Sequence, residues 1–175
     1  FLHSRLRTYK KSGVLVDMFR ISTHGEFGFS EFESIDVFTG DEQNLRAALQ
    51  SGQFKRVFVH ILDKNMWAVL EEFIEKLEVV IWVHGSEAQV WQRRAYEFKN
   101  MQDSEINRRK KLSDQRKAFW QSLISKKYLN VKLVFVSEYF KNEFVTDICN
   151  GEDDFNYEII HNYIDDELFP YYEKK

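Results

Sequence analysis

Apolar and polar positions follow one another along this chain in a pattern that predicts short buried strands alternating with amphipathic helices. Leu2, Leu6 and Tyr9 recur at helical spacing, so residues 1–12 are predicted to form a helix. The next run, residues 14–19, is almost continuously apolar, as expected for a strand that is covered on both faces. A helix that feeds such a strand is typical of an α/β fold.

The same alternation continues to the end of the chain and predicts an α/β domain, with a Rossmann-like, mainly parallel sheet and helices on both faces. Residues 22–30 are interpreted as a loop, and residues 79–83 form the most apolar strand. Further strands are predicted at residues 35–38, 56–62, 132–136 and 158–160. Further helices are predicted at residues 42–51, 65–77, 138–148 and 87–126, the last broken near Ser113, a good N-cap.

Composition narrows the class of protein. A chain of 175 residues that is 43% hydrophobic and 16% aromatic has enough apolar surface to fold around a core, which argues against disorder. The formal net charge of -3 argues against attraction of the whole domain to nucleic acid. We therefore expect one compact domain that does not bind nucleic acid.

Cysteine content and hydropathy indicate the compartment. Cys149 is the single cysteine, so the chain has no internal disulfide, as is typical of a reducing compartment. No apolar run approaches the roughly 20 residues that cross a bilayer, and residues 1–5 lack the apolar core of a signal peptide. The sequence predicts a cytoplasmic protein.

The strongest candidate for chemistry follows the strand at residues 79–83. His84 and Gly85 come directly after this strand, and in open parallel sheets ligands bind beyond the carboxyl ends of the strands. Gly85 would allow a ligand to approach the backbone closely. Two interpretations of His84 stay open here: it contacts a ligand in the crevice, or it only caps the strand or bonds a neighbouring carbonyl.

Other familiar sites are missing from the sequence. Neither the G-x-G-x-x-G dinucleotide fingerprint nor a G-x-x-x-x-G-K-S/T phosphate loop occurs, and the histidines lack metal-ligand spacing. His60, inside a predicted strand, is interpreted as a hydrogen-bonded core or rim residue. Cys149, which follows an apolar helix, is interpreted as a structural thiol.

The end of the chain carries a resemblance to a known family. Residues 157–169 form a short apolar strand followed by His-Asn-x-Ile-Asp-x-Glu-Leu-Phe, and Pro170 comes next. This pattern resembles the segment that closes the N-terminal half of GT-B glycosyltransferases, especially the retaining family 4. The helix and Val-Asp-Met-Phe strand within residues 1–19 and the strand-Ser-helix pattern of residues 134–141 are similar to that half as well.

The resemblance implies the N-terminal, acceptor-side domain over residues 1–170, with residues 171–175 beginning the linker to a C-terminal domain that binds the donor. It also implies a first strand upstream of residue 1. The full-length enzyme would transfer a sugar from a nucleotide-sugar to a glycan or lipid-linked acceptor, in polysaccharide or glycoconjugate synthesis. Transfer would retain the anomeric configuration and need neither metal nor cofactor, and the half-domain alone would be inactive.

By the same resemblance, His84 is the catalytic residue, which contacts the transferred sugar or positions the acceptor. The implied substrate-binding residues border the same cleft and are Gly85, Ser86, Glu87, Ser137 and Glu138. Two alternatives stay open. One is a non-catalytic carbohydrate-binding or partner subunit with this architecture, and the other is a GT-B epimerase or phosphorylase, because a fold alone does not select a chemistry.

A basic run in the predicted long helix has two interpretations. Arg108, Arg109, Lys110 and Lys111 are consecutive, and such runs are usually solvated helix faces. The functional alternative is peripheral contact with an anionic membrane, where each cation contributes about 1 kcal/mol. That alternative would place the protein at the cytoplasmic face of a membrane.

Overall fold

The computed structural model describes residues 2–22 and 24–162. Contacts divide these residues into two compact units, one formed by the residues up to Gly52 together with Asn162, the other by Gln53–His161. The second part of the closing motif, Pro170 and the linker expected at residues 171–175 lie outside the described residues. The single domain expected over residues 1–170 stays a prediction.

The first unit contains a small mixed sheet. Its elements are α1 (Leu2–Lys11), β1 (Met18–Ile21), β2 (Gly28–Phe32), β3 (Ile35–Gly40) and α2 (Glu42–Gln50). Strand β3 is central, pairing in parallel with β1 and antiparallel with β2. The Asp41 carboxylate accepts the Asn44 backbone N–H at 2.9 Å, and the Asn44 side chain accepts the Asp41 N–H at 3.1 Å, which caps α2.

Two predictions for this unit are wrong. Strand β2 begins at Gly28, inside the segment predicted as a loop, because Glu33 and Ser34 take φ of 50° and 64° and close a hairpin with β3. Strand β1 begins only at Met18, the first residue of its pairing with β3. Leu15, in the run predicted to begin this strand, is 99% exposed. The apolar run therefore gave the wrong bounds for this strand, which are set by its pairing with β3.

The second unit has the predicted α/β architecture. Its elements are β4 (Arg56–His60), α3 (Lys64–Glu71), β5 (Glu78–Val83), a 3-10 helix (Trp91–Phe98), α4 (Asp103–Ser125), β6 (Val131–Phe135), α5 (Glu138–Ile148) and β7 (Tyr157–Ile159). The four strands form an all-parallel sheet in the order β4-β5-β6-β7, flanked by helices, which is a Rossmann-like arrangement. The α/β fold class is confirmed.

The core of this unit is built on the two inner strands. Val79, Ile81 and Val83 of β5 are fully buried, as expected for a strand covered on both faces. Phe135 of β6 packs against Phe144 of α5, with ring centroids 5.2 Å apart. On the opposite face, a second cluster contains Val80, Trp82 and Val134, with Phe58 and Ile160 packed against it. Strand β5 is thereby held rigidly on both sides.

The predicted helix over residues 87–126 is corrected by the structure. It consists of the 3-10 helix and α4, and α4 runs through Ser113 without a break. The buried Ser113 hydroxyl accepts the backbone N–H of Trp91 at 2.8 Å. Ser113 therefore makes a contact with a residue distant in sequence and does not cap a helix. The helix predicted over residues 65–77 likewise ends at Glu71 and continues as turns.

Candidate functional site

Polar residues gather at one edge of the parallel sheet in the second unit. Strand β4 ends at His60, β5 is followed by His84, β6 by Ser137 and β7 by His161. This is the carboxyl edge, where ligands of open parallel sheets bind. It is the candidate functional site, and it contains the histidine singled out by the sequence.

Two of these histidines are in direct contact. The Nδ1 atom of His60 lies 2.9 Å from the Nε2 atom of His84, within hydrogen-bonding distance. Their rings are stacked, with centroids 5.2 Å apart. His60 also stacks on Trp82, with centroids 5.8 Å apart and planes 7° from parallel. His84, His60 and Trp82 therefore form a continuous row on the same face of the sheet.

The turn after β5 holds the backbone of His84. Gly85 has φ of +134°, and its carbonyl accepts the N–H groups of Ala88 and Gln89 at 2.9 and 2.8 Å. The Glu87 carboxylate accepts the backbone N–H of His84 at 2.5 Å. In a capping box, the side chain of the residue three positions further on accepts the backbone N–H of the first residue, and Glu87 makes this contact with His84. It ties the histidine to the turn.

Glu87 itself is buried, with 6% of its surface exposed. Its backbone carbonyl accepts the Trp120 indole N–H of α4 at 2.9 Å. Its second carboxylate oxygen, Oε2, is enclosed and has no hydrogen-bond partner among the described residues. Both hydrogen bonds of Glu87, from the His84 N–H and from the Trp120 indole, therefore support the turn. The neighbouring Ser86 is exposed, and its carbonyl accepts a hydrogen bond from Arg116 at 3.3 Å.

Replacing Gly85 by Ala should lower the free energy of unfolding by about 1–3 kcal/mol, because a side chain is strained at this positive φ. A Cβ atom would meet only Gln89 Oε1, at 3.9 Å, so the effect comes from the backbone and not from a clash. Urea unfolding measures it. Gly28→Ala is the matched control, since Gly28 has an ordinary φ and open space around it, and an equal loss in both variants would contradict the strain argument.

Charged side chains fasten the segment after the turn to α5. Arg93 donates to Glu143 at 3.0 Å and forms two hydrogen bonds with Asp147. Gln89 donates to the other oxygen of Glu143 at 3.0 Å. The hydrogen bond with Asp147 raises the pKa of Arg93, and Glu143 raises the pKa of the Tyr139 hydroxyl that bonds to it. This network supports the loop beside the site.

Ser137 and Glu138 lie at the same edge, after the neighbouring strand β6. The Ser137 hydroxyl accepts the backbone N–H of Phe140 at 3.1 Å and caps α5. Glu138 is exposed and forms an ion pair with Lys141 at 3.1 Å. His161, next to them along the edge, donates from Nδ1 to the carbonyl of Val136 at 3.1 Å. The substrate contacts implied for Ser137 and Glu138 stay predictions.

Sequence reasoning described His60 correctly as a hydrogen-bonded residue but missed that its partner is His84. A signal existed, because each histidine stands at the carboxyl end of one of two consecutive strands. Parallel strands end at the same edge, so adjacent pairing would bring such residues together. What the sequence lacked was the register, which sets His60 opposite Trp82.

Two other chemical groups are accounted for by their surroundings. Burial raises the pKa of the Cys149 thiol to about 11, which suppresses the reactive thiolate and supports the interpretation of a structural thiol. Within residues 2–22 and 24–162, no group of three or more His, Cys, Asp or Glu side chains is arranged to hold a metal ion. In the same part of the chain, no helix combines the length and apolar character that crossing a membrane requires.

The basic run on α4 is partly neutralised. Arg108 and Arg109 donate to Glu105 at 2.8 and 3.0 Å, and these bonds, with Arg108 the larger cause, lower the pKa of Glu105 to about 2. Lys110 lies over the ring of Trp91, 4.5 Å from its centroid. The bonds to Glu105 offset part of the charge that the run presents to a membrane, whereas Lys110 keeps its charge over the Trp91 ring.

Membrane contact through this run stays a prediction that sedimentation with lipid vesicles can test. Anionic vesicles should bind the protein where neutral vesicles do not, and Lys110→Glu with Lys111→Glu should abolish binding because both charges are reversed. Equal sedimentation with both kinds of vesicle would contradict contact between the basic run and an anionic membrane.

A cavity of about 470 Å³ lies at the opposite, amino edge of the sheet. Its walls come from the C-terminal end of α4, the beginning of β6 and the residues before β7. It is thus separate from the histidine row, and the candidate site is defined by convergent polar groups rather than by this cavity.

Comparison of the chain with models of protein families, with curated proteins and with solved structures gives no match. The assignment of an α/β fold therefore depends on the parallel sheet itself. The resemblance to glycosyltransferases depends on the order of the motifs in the sequence.

Proposed function

We propose that this chain is the acceptor-side half of a retaining GT-B glycosyltransferase, which transfers a sugar from a nucleotide-sugar to a hydroxyl of a glycan or lipid-linked acceptor. The observation that carries the proposal is His84, directly after the five buried residues 79–83 of the inner strand β5, in a turn at the carboxyl edge of a parallel sheet. A rigid strand holding one polar side chain at a ligand-binding edge is what positioning of a reacting group requires.

The reaction exchanges one bond at the anomeric carbon for another. The acceptor hydroxyl oxygen forms the new bond to that carbon, the bond to the nucleoside diphosphate breaks, and the acceptor proton leaves with the diphosphate. In this proposal His84 contacts the transferred sugar or orients the acceptor hydroxyl. Gly85, Ser86, Glu87, Ser137 and Glu138 border the acceptor, with Glu87 acting through the backbone of His84.

In this proposal a second domain binds the nucleotide-sugar donor and stabilises its leaving group. Fixed amides and cations there would stabilise the charge that develops on the leaving diphosphate, which is usually the largest catalytic contribution. Closure of the two domains would exclude water, which would otherwise hydrolyse the donor. Both arguments explain why the half-domain alone should be inactive.

Nucleotide release from a panel of UDP-, GDP- and ADP-sugars by the full-length gene product tests the proposal. We expect release from one class of donor that depends on an acceptor extract, and none from residues 1–175 alone. Arg56→Ala is the control variant, because it breaks only an exposed ion pair with Glu78 at the amino end of the same strands. Silence across the panel from a folded full-length protein would instead favour the non-catalytic carbohydrate-binding or partner subunit.

A further inference from the structure

We propose that His60 is a positioning residue for His84, which fixes the orientation and the tautomer of the His84 ring. This inference deepens the proposed function and rests on it for its catalytic consequence. The contact itself, from Nδ1 of His60 to Nε2 of His84 at 2.9 Å, is independent of any activity.

The two rings share one proton at this contact. A neutral imidazole has one nitrogen that donates and one that accepts, so either His60 Nδ1 or His84 Nε2 carries the hydrogen. When His60 donates, the proton of neutral His84 is on its own Nδ1, and the ring offers a donor there. When His84 donates from Nε2, its Nδ1 is an acceptor. The tautomers of the two rings are therefore coupled, and the tautomer that His60 adopts sets whether Nδ1 of His84 donates to a sugar hydroxyl or accepts from it.

His60 is well placed for this task because it is itself fixed. It is the last residue of β4 and lies opposite Trp82 of β5 in the sheet register. Its ring lies nearly parallel to the Trp82 indole, which is only 4% exposed. The Trp82 ring packs in the cluster with Val80 and Val134, so the support continues into the core. A partner held on rigid strands limits the rotamers of the residue that it contacts.

Three substitutions of His60 test the contact with His84, because they differ in where a polar atom of the new side chain lies. In His60→Asn the amide group falls near the position of Nδ1, so the contact with His84 can be kept. In His60→Gln the amide reaches the position of Nε2, and in His60→Leu no polar atom remains. Gln is closer in size to His than Asn is. If activity is lost in His60→Gln and kept in His60→Asn, the contact with His84 and not the volume of the side chain is therefore the cause.

The kinetic arm uses the full-length protein with the donor that the panel identifies. We expect kcat to fall about 10–100-fold in His60→Leu and His60→Gln, with KM for the donor little changed, and to recover in His60→Asn. This is the size of effect that partners orienting metal-bound histidines have, and we expect the same of a partner that orients His84. Wild-type kcat in His60→Leu, or the same loss in all three folded variants, would overturn the positioning role.

A spectroscopic arm needs no activity. The ¹⁵N shifts of the His84 imidazole in residues 1–175 should report one tautomer in the wild type and a mixture in His60→Leu, with the backbone spectrum otherwise preserved. Unchanged His84 shifts in His60→Leu would overturn the inference. Because this arm is independent of turnover, an inactive full-length protein with a coupled His84 would contradict the proposed function and leave the pairing intact.

Discussion

Under the proposed function, sugar transfer by the full-length protein should fall about 10²–10³-fold in kcat when His84 is replaced by Ala, a loss typical of removing a preorganised polar group at a reacting centre. His84 is only partly buried and stands after β5, so its removal leaves the strand core of Val79, Ile81 and Val83 in place. The loss should therefore appear in turnover and not in the free energy of unfolding. Initial rates and urea unfolding of the same preparation measure the two quantities.

A second substitution at this position separates two functions of the ring. His84→Gln puts an amide near the position of Nε2 and can keep the contact with His60, but it lacks an atom equivalent to Nδ1. We expect it to fold as the wild type does and to lose activity nearly as fully as the Ala variant. Turnover that is unchanged in both variants, with Arg56→Ala also unchanged, would refute the catalytic role of His84.

Replacing Trp120 by Ala should lower the free energy of unfolding by about 3–5 kcal/mol, the usual range for a fully buried aromatic. The Trp120 side chain is 0% exposed, and its ring packs edge-on against Phe144 with centroids 5.5 Å apart. Its indole N–H also donates to the carbonyl of Glu87 at 2.9 Å, below the turn that carries His84. The substitution thus removes core packing and a support of the site together.

One further variant isolates the hydrogen bond of Trp120, and another serves as a surface control. Trp120→Phe keeps most of the ring but leaves the Glu87 carbonyl without its donor, which should cost about 1–3 kcal/mol. Leu129→Ala changes a side chain that is 96% exposed and should stay within about 0.5 kcal/mol. Chemical denaturation of the three variants provides the comparison, and a Trp120→Ala loss no larger than that of Leu129→Ala would contradict the packing account.

The parallel sheet of the second unit was predictable because each of its strands is a short apolar run that can be recognised from neighbouring residues alone. The run at residues 79–83 is continuously apolar, and burial on both faces explains why no polar residue interrupts it. Strands β4, β6 and β7 were predicted within two residues of their observed ends. The position of His84 at the carboxyl edge follows from the same local pattern.

The features that sequence reasoning missed depend on contacts between distant residues. Strand β2 pairs through a turn formed by Glu33 and Ser34, which lack the Asn-Gly or Asp-Gly signature of such turns. Ser113 resembles an N-cap in sequence, yet its hydroxyl bonds a backbone N–H 22 residues away. The pairing of His60 with His84 needs the register of two strands, which no local pattern specifies.

The configuration of the product that the full-length protein forms from a nucleotide-sugar donor and an acceptor can be read directly by ¹H NMR. The account predicts a new glycoside whose anomeric proton shows the same configuration as the donor, with its formation lost in His84→Ala and kept in Arg56→Ala. Inversion at the anomeric carbon, or no glycoside from a folded full-length protein, would contradict it.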